Sequence, residues 1–291
     1  MADQIVDEFY TARNLLYLGA LPQALAALSQ QQHLAGTLEQ EKKTLYYRAL
    51  LAQGNHQVLL DQLPATSTDP SLLALRQLAL VCAGQEASVD SLVDDSNNLQ
   101  SATFTCIAAQ VLLRTERTED ALRILALHSK SLECVLLTIS AYVQMSRVDL
   151  AQKLIARVRA WAEDAPVAQL AEALTWLFVG GPKYTEAFYI FEELAQASVP
   201  TAKLTTAQAV CKMHLAQYPE ALSLLEEALA MDSGDADTLA NLVVCATLAG
   251  KPDETRQLYL TQLRHAAPTH PFVVDLDTKA DEFDKIAAKL A

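Results

Sequence analysis

Glycine is scarce in this chain, with 8 residues among 291. A sandwich or barrel of short strands needs a turn about every ten residues, so a mainly β fold is excluded. Aromatic residues are also few, at 6%, although apolar residues reach 51%. Leu and Ala therefore carry the apolar content, and they are the strongest helix formers. Charged residues stand at 20%, which is too few for a disordered chain. The expected class is all-α.

Basic residues are in deficit: 22 Lys and Arg face 35 Asp and Glu, for a net charge of −13, and no run of cations occurs. An acidic surface repels phosphate backbones and anionic lipid, so no nucleic-acid or membrane-surface binding is expected. No stretch approaches the roughly 18 uninterrupted apolar residues of a spanning helix, so direct membrane insertion is not expected either. The acidic start (Asp3, Asp7, Glu8) lacks the basic and apolar regions of a signal peptide. Cys82, Cys106, Cys134, Cys211 and Cys245 are odd in number, far apart and without a C-x-x-C pair. That pattern argues against zinc or a disulfide framework and for buried, reduced thiols of a cytosolic protein.

Catalytic constellations are missing as well. The six histidines (His33, His56, His128, His214, His265, His270) have no carboxylate at metal-ligand spacing on a shared helix face. Glu192-Glu193 and Glu226-Glu227 are adjacent, so one carboxylate of each pair points to solvent. None of the phosphate-cradling, dinucleotide or nucleophile-elbow glycine motifs occurs. No catalytic residue, cofactor or metal is expected, and the chain does not read as an enzyme.

What the chain does contain is a period. Val148-Asp149-Leu150-Ala151, Tyr184-Thr185-Glu186-Ala187, Tyr218-Pro219-Glu220-Ala221 and Pro252-Asp253-Glu254-Thr255 share a turn followed by a small residue. Their last residues lie 36, 34 and 34 apart, and the tetratricopeptide repeat has a period of about 34. Leu21-Pro22-Gln23-Ala24 and Thr118-Glu119-Asp120-Ala121 are looser copies. The small residue opens the second helix of each pair where it crosses the first. Gly19, Gly54, Gly84 and Gly250 are placed to cap first helices in the left-handed conformation. Helix starts are signalled at Asp69-Pro70, Ser131 and Asp235.

Between 40 and 100 the repeat is degenerate, with His56 and Val58-Leu59 at its aromatic and small positions. Thr66–Asp69 and Asp94–Asn98 read as loops. Apolar spacing of Phe272, Leu276, Phe283, Ile286 and Leu290 predicts a capping helix over about 271–290. The expected architecture is one continuous right-handed superhelical solenoid of tetratricopeptide-like helix pairs over 1–291, clearest over about 102–268.

The segments FYTARNLLYLGALPQAL (9–25), LYYRALLAQGNHQVLLDQL (45–63) and SLECVLLTISAYVQMSRVDLAQKLI (131–155) together resemble the coatomer epsilon subunit family. GGPKYTEAFYIFEELA (180–195), DTLANLVVCATLAGKP (237–252) and HPFVVDLDTKADEFD (270–284) extend the resemblance over almost the whole chain. It implies a non-enzymatic coat subunit whose repeats hold the C-terminal region of the coatomer alpha subunit beside the other coatomer subunits. It also implies recruitment from the cytosol to the cytosolic face of Golgi membranes and COPI-coated vesicles, serving retrograde and intra-Golgi transport.

Placing the residues in the repeat frame gives a candidate partner-binding groove on the first helices. Phe9, Arg13 and Leu16 fall on it, then Leu136 and Val143, then Glu172, Trp176 and Val179, then Val210 and Met213, then Asn241 and Val244. This face is mostly apolar, as a large permanent interface requires. An adaptor or co-chaperone that clamps a peptide tail is the competing class. Its clamp needs clustered Lys and Asn, and apart from Lys203 and Asn241 they are missing here.

Overall fold

A computed structural model describes residues 9–31, 36–65, 67–94 and 97–290. Asp3, Asp7, Glu8, His33, Thr66, Asp95 and Ser96, considered above, lie outside the described residues. Among the described residues there are seventeen α-helices and no strand. The chain divides into two compact units, Met1–Gly180 and Gly181–Ala291.

The first unit stacks five helix pairs. They are α1 (Tyr10–Leu18) with α2 (Leu21–Gln30), α3 (Thr37–Ala52) with α4 (His56–Gln62), and α5 (Pro70–Cys82) with α6 (Ser91–Asp94). Then come α7 (Ala102–Arg114) with α8 (Thr118–Leu125), α9 (Leu132–Gln144) with α10 (Val148–Ala162), and the single helix α11 (Pro166–Val179). The degenerate stretch corresponds to short second helices, 7 residues in α4 and 4 in α6. Asp94 closes α6, and Asn98 opens a single 3-10 turn. First helices pack on first helices, and α1 touches both α3 and α11.

The second unit begins with α12 (Lys183–Ala197). It continues with α13 (Ala202–His214) and α14 (Tyr218–Met231), α15 (Ala236–Leu248) and α16 (Asp253–Ala266), and ends on α17 (Pro271–Leu290). Phe272 and Val273 of α17 pack against Leu239, Ala240 and Leu263. Farther along the same helix, Phe283 and Ile286 are exposed.

Local chemistry sets these boundaries. Asp69 and Asp235 accept the N–H groups of Ser71 and Thr238 at 2.9 Å, capping α5 and α15 where the sequence signals them. Ser131 precedes α9 without such a cap. Gly19 closes α1 with φ 83°, and the next N–H, that of Ala20, bonds to Leu15 O at 2.9 Å. Three repeats make the same turn without glycine: Glu116, Ser146 and Ala216 take φ values of 62°, 58° and 58°. Ala24, Ala121, Ala151, Ala187 and Ala221 are buried at the starts of second helices. An all-α stack of helix pairs is thus the observed fold.

Candidate partner-binding surface

The first helices place the expected groove residues in two kinds of setting. Phe9, Leu136 and Trp176 are buried within the first unit, at 1%, 8% and 9% exposure. Phe9 packs with Ala12, Leu28 and Leu45, and Leu136 with Val135 and Ile139. The Trp176 indole donates to Glu172 Oε1 at 3.0 Å, and Arg159 Nε donates to Oε2 of the same carboxylate at 2.9 Å. Arg13 pairs with Glu41 of α3. By contrast, Leu16, Val143 and Val179 remain half-exposed.

In the second unit Val210, Met213, Asn241 and Val244 are all half-exposed. The Asn241 amide donates to Asp237 O at 2.8 Å, one turn back in its own helix, so that donor is spent locally. Beside these residues runs a polar row linking first helices. The Thr206 and Thr238 hydroxyls meet at 2.7 Å across α13 and α15, and His270 Nε2 lies 3.1 Å from Asp237 Oδ1. Desolvation around the Lys203 ammonium lowers its pKa, and the Asp237 carboxylate partly offsets this.

Sequence reasoning missed a buried charge network in the first unit. Arg48 of α3 is 7% exposed. It donates to Glu133 Oε1 of α9 at 3.2 Å and to the Tyr17 hydroxyl of α1 at 2.7 Å, and its guanidinium lies 5.6 Å from the centre of the Tyr17 ring. Burial opposes ionisation of all three groups. It pushes the Tyr17 hydroxyl well above its ordinary range, with Arg48 only partly offsetting it. Burial also works against the Glu133 carboxylate, yet Arg48, a hydrogen bond from Tyr17 and the more distant Arg13 hold it below its usual value. The signal was present: Leu45, Arg48 and Ala49 share one helix face, and both apolar members are buried. A cation on that stripe needs a buried partner.

Next to this network the Cys106 and Cys134 sulfurs are 3.2 Å apart, linking α7 to α9. Four of the five cysteines are buried, and Cys82 is half-buried. Among the described residues no group of His, Cys, Asp and Glu could hold a metal ion. No helix among them is long and apolar enough to cross a membrane.

Comparison with known proteins places this architecture. Two solved structures share the fold: Cut9-Hcn1 of the APC/C (TM-score 0.62, 13% identity, 91% of this chain and 54% of that one) and a tetratricopeptide repeat protein from Parabacteroides merdae (TM-score 0.55, 15% identity, 93% and 96%). Among curated proteins, coatomer subunit epsilon of Caenorhabditis elegans is 30% identical over 98% of this chain and 99% of its own length. Coatomer subunit epsilon-1 of Oryza sativa subsp. japonica is 32% identical over the same shares. The model of the family described as coatomer epsilon subunit matches residues 5–291. The likeness thus runs nearly from end to end: the chain belongs to the coatomer epsilon subunit family, and its role is that of a coatomer subunit.

Proposed function

We propose that this chain is a structural, non-enzymatic subunit that holds the C-terminal region of the coatomer alpha subunit. Its place is in the coat with the other coatomer subunits, on the cytosolic face of Golgi membranes and COPI-coated vesicles. Retrograde and intra-Golgi transport are the processes it serves. The groove positions on the first helices of each unit supply the grip.

Family membership over residues 5–291 is the observation that carries this reading. The half-exposed apolar residues support it. Leu16, Val143, Val179, Val210, Met213 and Val244 keep surface that a partner can cover. Phe9, Leu136 and Trp176 are already buried, so their part is to shape the wall beneath the contact.

A pull-down from cytosol with this chain as bait tests the reading. Stoichiometric recovery of coatomer, with the alpha subunit surviving the harshest salt wash, is the expected result. Val210→Glu and Val244→Glu should each weaken alpha-subunit capture by about 1–3 kcal/mol without lowering the melting temperature. Recovery of chaperones and no coat proteins would replace this reading with a peptide-tail adaptor.

A further inference from the structure

A cleft of about 290 Å³ opens among α8, α9 and α10 of the first unit. Leu125, Tyr142 and Leu154 line it. Lys153 and Arg157, one turn apart on α10 and both exposed, stand at its edge. Among the described residues no Asp or Glu lines the cleft. Neither cation makes a hydrogen bond or ion pair among them. Asp149 is the acid one turn before Lys153, but Arg147 engages both of its oxygens, at 2.8 and 2.9 Å.

On a chain of net charge −13, two exposed cations that close no ion pair beside a mainly apolar hollow mark the surface for an anionic occupant, although Lys153 also feels the Asp149 charge. The hollow is at the lower limit for a small-molecule site, which suits one large side chain better than a cofactor. Its edge is cationic and its lining mainly apolar, so the complement is apolar at the centre and acidic at the flanks. We propose that this cleft docks an extended acidic peptide segment of a partner protein. One aromatic side chain enters between Leu125, Tyr142 and Leu154, and flanking carboxylates pair with Lys153 and Arg157. Lys153, Arg157 and Leu154 come from the second helix α10 and Leu125 from the second helix α8, while Tyr142 comes from α9, next in sequence to the groove residue Val143.

The test is fluorescence polarisation of a labelled, end-capped peptide, Asp-Glu-Trp-Glu-Asp, titrated with the full chain. Saturable binding is expected, weakened about tenfold by the double substitution K153E/R157E, which alters exposed positions and should leave the melting temperature unchanged. Replacing the peptide's Trp by Ala should weaken binding by a similar factor. Absence of saturable binding overturns the proposal, as does equal binding to the double variant. Undiminished binding of the Ala peptide also overturns it, because the surface would then be an unspecific anion patch. If vesicles rich in anionic lipid bind through Lys153 and Arg157 while the peptide does not, the occupant is a membrane and the proposal fails.

Discussion

Arg48 of α3 and Glu133 of α9, 85 residues apart in sequence, meet at 3.2 Å inside the first unit. Their side chains are 7% and 16% exposed, so each charge depends on the other for what water no longer supplies. Glu133→Gln should cost about 3–5 kcal/mol, the usual penalty for leaving one buried charge unpaired. Replacing both by apolar residues, as R48M/E133L, should recover most of that loss. Urea unfolding of the three proteins checks this. A double variant as unstable as E133Q would show that the ion pair is not what the single substitution breaks.

The same pair gives a pH dependence with a definite sign. Burial tends to raise the Glu133 pKa, but Arg48 foremost, then Tyr17 and Arg13, bring the folded value below its usual one. An unfolded Glu titrates near about 4.3. A carboxylate depressed on folding contributes its full stability above the unfolded value and loses it as pH falls through the folded value. The wild type should therefore lose stability steadily from about pH 5 downward, while E133Q lacks that component. The gap between their urea midpoints should be widest near neutrality and narrow in acid. A constant gap would remove Glu133 from the acid response.

The turns that close first helices invite substitution. Glu116, Ser146 and Ala216 are exposed and adopt φ near 60°, a conformation costing an L-residue about 1–2 kcal/mol. Glycine removes that strain but loses about 0.5–1 kcal/mol to the unfolded chain. Each of E116G, S146G and A216G should therefore stabilise its unit by up to about 1 kcal/mol, additively because the sites are far apart in sequence and share no partner. Thermal melts of the single and triple variants measure it. Destabilisation at all three would contradict the left-handed turn.

The same three turns explain what was legible in the sequence. Repeat spacing, buried alanines and the caps at Asp69 and Asp235 are local signals, so they located most helices. The left-handed turns at Glu116, Ser146 and Ala216 carry no glycine and are visible only from their equivalence to Gly19. Short α4 and α6 blurred the period because a helix of 7 or 4 residues has too few turns to show a stripe. The pairings of Arg48 with Glu133 and of Cys106 with Cys134 are long-range, and nothing local names the partner. For the groove, the frame selected positions on first helices, but whether a position is covered depends on neighbours. Phe9 and Leu16 share α1's surroundings, yet one is buried and the other half-exposed.

The small residue at the start of each second helix offers the most direct test of the repeat frame. Ala221 opens α14 fully buried, in a cluster with Ala209 of α13 and with Leu242 and Cys245 of α15. Two alanines at this crossing let the backbones of α13 and α14 approach, and the space between them leaves no room for a longer side chain. Ala221→Leu should cost about 1–3 kcal/mol by overpacking. Ala151→Leu should do the same in the first unit, where Ala151 packs with Val135 and Ile139. Ala230→Leu, at an exposed position of α14, has equal helix chemistry without the crossing and should stay within about 0.5 kcal/mol of the wild type. Chemical unfolding of the three variants separates packing from propensity. If A221L melts with A230L, the small residue does not set the crossing, and the frame that placed the groove on first helices falls with it.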